Sequence, residues 1–258
     1  MESTMISSEN SYLNNSASPL VTVITVVYNA VATIEATLLS IINQQDINIE
    51  IVVIDGGSDD GTLELLSKYK DKIAYLISEP DKGIYDAMNK GVAVASGEWI
   101  NFMNAGDSFA SVSVLKKIFS DSMSPDIQFI YSDFNILNTR SGNEERVIAD
   151  YEKGIILHQS VIYKKSLHSI YGKYVVTKKI IVSDYLFFNS VPREMIMKTN
   201  VVISTNNDNG VSQGAWCYYQ KKCVDYIFGR ISFSYLISAI VYFNCKALVK
   251  FVIPNRTK

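Results

Sequence analysis

Cysteine, histidine and proline are all scarce in this chain, which carries three, two and five of them. Cys217, Cys223 and Cys245 are odd in number and form no C-x-x-C pair. That excludes a disulfide framework or a paired-cysteine zinc site, and it fits ordinary thiols in a reducing compartment. A chain of 258 residues buries enough apolar surface to fold without such staples. Charge of one sign is also missing: the net charge is −2, which argues against a broad phosphate-binding surface and against nucleic acid as a partner. The first 19 residues are polar and lack an apolar signal core, so residues 1–19 are expected to be a frayed tail and the protein cytoplasmic. No G-x-G-x-x-G follows the first apolar run, which excludes a dehydrogenase-type dinucleotide loop. Gly56 and Gly61 have P-loop spacing, but Thr62 stands where that loop requires lysine.

What is present is an alternation of β-branched runs with amphipathic segments. Leu20–Tyr28, Glu50–Ile54, Ile73–Ser78 and Trp99–Met103 read as strands, and the unbroken apolar character of the first two implies cover on both faces. Between them, Ile34, Leu38, Ile41 and Ile42 recur at helical spacing. Thr62–Tyr69 and Tyr85–Ala95 are further helices, the last stopping at Gly97. Strand–helix alternation predicts an α/β fold with a mainly parallel sheet, right-handed crossovers and helices on both faces. Farther on, Ile127–Ile136 and Met197–Ser204 read as strands, Ser108–Phe119 and Ser183–Ser190 as helices, and Arg146–Tyr151 as a pairing segment.

In an open parallel sheet, ligands bind beyond the carboxyl ends of the strands. Polar loops recur there four times: Tyr28–Ala30, Asp55–Thr62, Glu79–Gly83 and Asn104–Asp107. One such loop means little, since Asp and Gly serve turns anyway. Four on one edge predict one site.

The ordered strings VTVITVVYNA, VVIDGGSDDGT and SEPDKGIYDAMNKGVAVASGEWINFMNAGD resemble the nucleotide-sugar half of family-two glycosyltransferases. The likeness continues through HQSVIY at His158, SDYLFF at Asp184 and NGVS at Gly210, typical of members that assemble bacterial surface polysaccharides. It implies a GT-A, Rossmann-like fold and transfer of a sugar, with inversion, from a nucleotide-diphosphate donor to an acceptor hydroxyl. Uridine is the implied nucleotide and a lipid-linked saccharide the implied acceptor. The expected division is a nucleotide-sugar half over residues 20–119, an acceptor half over 120–225 and a C-terminal appendage over 226–258.

The same resemblance assigns roles. Asp55 would accept from the nucleobase, with Tyr28 against the base or ribose and Thr25 earlier in that strand. Ser58 would shape the loop. Asp81 would face ribose or sugar, Lys82 the phosphates, and Asp86 the donor sugar. Members usually carry several acidic residues after the fourth strand; here the string is N-A-G-D. Asn104 and Gly106 replace acidic positions; Asn104 would still lie among the donor-binding residues, and Asp107 alone would hold Mg²⁺ or Mn²⁺. A hard cation there draws its remaining oxygens from the diphosphate and water. Asp184, in an S-D-Y context, would be the general base for the acceptor hydroxyl, with His158 and Gln159 on the acceptor side. The thinned acidic string leaves a second reading open, a donor-binding subunit of a polysaccharide complex that has lost catalysis. A nucleotidyltransferase is disfavoured, because YNAVAT is neither glycine-rich nor basic.

The uncharged stretch Ile231–Cys245 is bounded by Arg230 and Lys246. It falls short of the roughly 20 residues that span a bilayer. With Lys221, Lys222 and Lys250 nearby, it predicts a helix on the inner membrane surface, a helix packed on the domain being the alternative.

Overall fold

A computed structural model describes residues 4–6, 18–120, 122–208 and 215–252. Its first half runs β1 (Thr4–Ile6), β2 (Val21–Val27), α1 (Ile34–Ile42), β3 (Ile49–Asp55), α2 (Thr62–Ser67), β4 (Tyr75–Ser78), α3 (Ile84–Val94) and β5 (Trp99–Phe102). Strands β4, β3, β2 and β5 lie side by side in parallel, as the alternation predicts. Successive side chains point to opposite faces, so β2 and β3 feed two cores. Ile24, Val52 and Ile54 pack with Tyr85, Met88 and Val92 of α3. Val21, Val23, Val27, Ile51 and Val53 pack with Ile34, Leu38 and Ile41 of α1 and Leu66 of α2. Each fully buried aliphatic side chain contributes about 1.5–3 kcal/mol, which is why these strands are apolar throughout.

Two glycines set how closely the layers approach. A Cβ on Gly91 of α3 would lie 2.4 Å from Ile24 Cγ2. A Cβ on Gly97 would lie 2.6 Å from the backbone nitrogen of Thr22. Gly97 therefore serves strand packing, while α3 already ends at Val94. The stretch expected to be a frayed tail lies mostly outside the described residues; within it, β1 pairs antiparallel with β4 at the sheet edge.

The second half continues with β6 (Ser108–Phe109), α4 (Val114–Ser120), β7 (Phe129–Ser132), β8 (Phe134–Leu137), β9 (Glu144–Val147), β10 (Val161–Lys164), α5 (Leu167–Tyr171), α6 (Ser183–Asn189), β11 (Ile196–Thr199), β12 (Ser204–Asn207), α7 (Ala215–Ile227) and α8 (Phe233–Val252). The main sheet extends to eight strands, β1-β4-β3-β2-β5-β10-β7-β11, with β10 antiparallel to both neighbours. A second sheet, β6-β12-β8-β9, was not legible in the sequence. The strand expected over Ile127–Ile136 is in fact two strands in different sheets. Asp133 marks the break, its buried carboxylate accepting from Arg146, Lys198 and the Ala149 N–H. Met197–Ser204 splits in the same way between β11 and β12. The helix expected over Ser108–Phe119 starts only at Val114, and β6 precedes it. Helix α7 runs through residue 225, so the expected boundary between residues 225 and 226 falls inside a helix whose Asp225 accepts from Tyr185 Oη at 2.6 Å.

Candidate active site

The four polar loops leave the same edge of the parallel strands, and the first two are tied together. Asn29, with φ 47°, donates its N–H to Ser58 Oγ at 2.8 Å, and its side-chain oxygen accepts from the Asp59 N–H at 3.0 Å. The Ala30 N–H donates to Thr62 Oγ1 and the Val31 N–H to Asp60 Oδ2, both at 3.0 Å. The first loop is thus stitched to the second, leaving Tyr28 64% exposed above the cleft. A Cβ on Gly56 would meet Asp81 Oδ2 at 2.8 Å and Tyr28 Cδ2 at 3.3 Å. Tyr28, Gly56 and Asp81 therefore lie against one another, and only a glycine fits between the two side chains.

Several residues expected on the donor side have partners within the protein. Thr25 is fully buried in the middle of β2 and cannot reach a ligand without opening the sheet. Asp55 is also fully buried. Its Oδ2 accepts from the Gly57 and Ser58 N–H groups at 3.0 Å and from Ser78 Oγ at 2.6 Å, and its Oδ1 accepts from Ser58 Oγ. The carboxylate thereby ties the Gly57–Ser58 turn to β4. Asp86 accepts from the Lys82 N–H at 3.0 Å and closes the first turn of its own helix. Lys82 stands exposed beside it, and Asp81 Oδ1 accepts from the Gly83 N–H at 2.7 Å.

The opposite wall brings distant residues together. Asn104, after β5, places Nδ2 2.9 Å from His158 Nε2. His158 Nδ1 lies 3.1 Å from Asp184 Oδ2, at the start of α6. Asp184 Oδ1 accepts from Tyr85 Oη at 2.7 Å and from the Tyr185 N–H at 2.8 Å. Gln159 donates to Asp107 Oδ2 at 2.5 Å and so braces the loop after β5. Asp107 Oδ1 accepts from the Asn207 N–H at 3.2 Å. Asp107 precedes a strand, so its carboxylate is not the cap of a helix. Tyr85 and Asn207 were not singled out from the sequence. Tyr85 sits within GIYDAMN, where only its neighbour Asp86 carries an obvious chemical signal.

The two carboxylates differ electrostatically. Burial pushes Asp184 up, but donation from His158, Tyr85 and the Tyr185 N–H more than offsets it and holds the group below the usual carboxylate range. Burial raises Asp107, and donation from Gln159, the charge of His158 and the Asn207 N–H offset this only in part. Burial and the Asp184 charge drive the Tyr85 phenol far above its usual value, so it stays a hydrogen-bond donor. A cavity of about 30 Å³ beside Asp184 is lined by His158, Val182, Tyr185, Cys217 and Lys221, bringing α7 to the edge of the site.

Among the described residues no cluster of three or more His, Cys, Asp or Glu side chains exists to hold a metal. The donor set near Asp107 is one carboxylate plus two buried amide oxygens without partners, Asn104 Oδ1 and Gln159 Oε1. All three are hard oxygen donors, so the set fits Mg²⁺ or Mn²⁺ if donor phosphates supply the remaining positions.

A mostly parallel sheet with polar loops along one edge, a small second sheet and an acidic pair beside them defines a GT-A glycosyltransferase. The family model described as glycosyl transferase family 2 matches residues 22–153, and the chain belongs to that family. It is 29% identical over 204 residues to the PGL/p-HBAD biosynthesis glycosyltransferase of Mycobacterium tuberculosis, covering 75% of this chain and 79% of that protein. It is 25% identical to the cholesterol galactosyltransferase of Borreliella burgdorferi, over 70% of this chain and 50% of the other. Among solved structures, S. aureus TarS in complex with UDP-GlcNAc has a TM-score of 0.64 at 18% identity, covering 81% of this chain and 65% of that one. The mannosyltransferase PcManGT from Pyrobaculum calidifontis, in complex with GDP-Man and Mn²⁺, has a TM-score of 0.59 at 18% identity, covering 81% and 61%. At these identities the structural likeness speaks for the fold. NGVS, in the resemblance around Gly210, lies outside the described residues.

Proposed function

We propose that this glycosyltransferase moves a hexosyl or N-acetylhexosaminyl group, with inversion, from a UDP-sugar to a hydroxyl of a lipid-linked saccharide in surface-polysaccharide synthesis. The observation that carries the catalytic assignment is the state of Asp184. Its carboxylate is held from three sides at the cleft, with one partner on Oδ2 and two on Oδ1. In the proposed step the acceptor oxygen forms a bond to the anomeric carbon, and its proton passes to Asp184. The bond from that carbon to the diphosphate breaks, and its electron pair leaves with the diphosphate. Tyr28 and Asp81 line the donor side, while Asp107 would hold a divalent ion that neutralises the departing diphosphate. Support for this donor chemistry comes from the nucleotide-sugars in the TarS and PcManGT complexes and from the Mn²⁺ in the latter.

Asp184→Asn keeps the shape and removes basicity. Turnover should fall by about 10²–10⁴-fold, the range for a general base, with donor affinity retained. A folded variant with wild-type turnover would move the base elsewhere. Tight donor binding by the wild type without release of UDP would favour the donor-binding-subunit reading. Asp107→Asn should weaken both metal-assisted donor binding and turnover; unchanged dependence on divalent ions would remove Asp107 from the metal site.

We also infer that the C-terminal helices seat the enzyme on the inner face of a membrane. Among the described residues no helix is long and apolar enough to cross one. Helix α8 buries Leu236 and Ala239 but exposes Phe233, Tyr235, Ile237, Val241 and Tyr242, an apolar aromatic face suited to an interface.

A further inference from the structure

Helix α7 packs on α6 through a single stripe. Cys217 and Val224 are buried in it, against Val182 and Tyr185. Lys221 stands four residues after Cys217 and three before Val224, so the helical period puts it on the same stripe. A lysine there is out of place unless something answers its charge. The next lysine, Lys222, is answered by Asp225 at 2.7 Å. Among the described residues Lys221 has no carboxylate partner; its ammonium lies 5.1 Å over the Tyr185 ring, and the residue is half-buried.

The cavity beside Asp184 gives that charge a use. Lys221 lines it together with Asp184, Val182, Tyr185 and Cys217, so a cation and the catalytic carboxylate share one small space with apolar walls. The Tyr185 wall is fixed in place. Its Oη donates to Asp225 at 2.6 Å and accepts from Arg230 at 3.3 Å, and a Cβ on Gly154 would overlap that oxygen. An acceptor hydroxyl has to enter beside Asp184 to give up its proton, so the groups next to that hydroxyl meet the cavity and its ammonium. Beyond α7 comes α8, packed against it, with its exposed apolar face. Carboxylate, cation and apolar helix thus follow one another through α6, α7 and α8, in the order in which a lipid-linked saccharide carries hydroxyl, phosphate and lipid.

We propose that Lys221 is the anion-binding residue of an acceptor subsite and recognises the phosphate that joins the acceptor saccharide to its lipid. The inference rests on the acceptor being lipid-linked and on Asp184 being the base. An ammonium suits this task, because it binds phosphate as a point charge and needs no fixed fork geometry.

The test is equilibrium binding of farnesyl diphosphate, a short lipid diphosphate, to the full chain already saturated with UDP and Mg²⁺, which keeps the probe out of the donor site. The wild type is expected to bind it, and Lys221→Met to lose about 10–100-fold in affinity, the span of a hydrogen bond to a charged group. Lys221→Arg keeps a cation and should retain most of the affinity. Farnesol lacks the phosphates and should bind wild type and Lys221→Met alike, more weakly than the diphosphate binds wild type. No binding of farnesyl diphosphate to the UDP-loaded wild type, or equal affinity in Lys221→Met, would overturn the proposal. Inorganic diphosphate separates the two sources of phosphate: binding as tight as that of farnesyl diphosphate would assign the subsite to a free anion and overturn the lipid assignment. Unchanged UDP affinity checks the fold of both variants, and the wild-type comparison of diphosphate with farnesol stands without them. No arm needs turnover, so a failure here is separable from a failure of the base assignment, read from Asp184→Asn.

Discussion

Asp184 and Asp107 lie in one cleft and are displaced in opposite directions, which gives them opposite effects on stability. Asp184 is held below the ordinary carboxylate value of 3.8, so its contribution is present above that value and is lost as pH falls through its lower folded value. Asp107 is raised above 3.8, so its ionisation weakens the fold, and stability is regained as pH falls through the raised value toward 3.8. Melting curves of the wild type, Asp184→Asn and Asp107→Asn across this range should show difference curves of opposite slope, on opposite sides of 3.8; parallel curves would contradict the assignment. Tyr85→Phe removes one donor from Asp184 and should shift the acid limb of the kcat profile upward, while a profile identical to wild type would leave Tyr85 a packing residue. Asp55 carries a different expectation from the one its loop position suggests. Asp55→Ala strands two backbone N–H groups and two hydroxyls, and a stranded buried polar group costs about 1–3 kcal/mol. Melting temperature should therefore drop along with donor affinity, and calorimetry with thermal melts separates the two losses. The position of Asp55 beyond a buried strand was legible in the sequence. Its saturation was not, because one of its donors, Ser78, comes from a neighbouring strand 23 residues away.

At the level of elements, the contact between α3 and β2 is the tightest constraint on the donor half. Gly91→Ala would press a methyl group into Ile24, and overpacking of this kind costs about 1–3 kcal/mol. A denaturation midpoint equal to wild type would mean that α3 can lift without penalty. The C-terminal pair behaves less uniformly than its composition suggests. Lys222 is paired with Asp225 at 2.7 Å, Lys221 lies 5.1 Å over the Tyr185 ring, and Arg230 donates to the Tyr151 carbonyl and to Tyr185 Oη. Those three cations serve the domain, so the apolar face of α8 must supply most of any membrane affinity. Full-length protein should sediment with anionic liposomes, and a chain ended after Arg230 should not; equal pelleting would refute membrane seating. The cut belongs there rather than near residue 225, since Asp225 is part of the packing beneath α6.

Across the whole molecule, two sheets converge on one cleft, and a donor that binds only the folded state must stabilise all of it. At about 100 times its dissociation constant such a ligand adds about 2.7 kcal/mol. For a domain of this size that shifts the melting temperature by roughly 2–4 °C per kcal/mol. UDP-sugars with Mg²⁺ or Mn²⁺ should raise it accordingly, and a screen in which no nucleotide-sugar does so would count against the proposed donor class.

By itself, the sequence determined the parallel half-sheet, its helices and the four polar loops at one edge of the strands. Those features follow from local periodicity: unbroken β-branched runs between amphipathic segments, with polar turns at one end of each. Tertiary structure alone decided which polar side chains face the cleft and which face one another. Asn104, His158, Asp184 and Tyr85 form one chain only because β5, the loop before β10, α6 and α3 meet at the same sheet edge. The second sheet, with its strands broken at Asp133 and between β11 and β12, was hidden for the same reason. Its pairings join segments far apart in the chain, and no local pattern records which distant partner a strand will find.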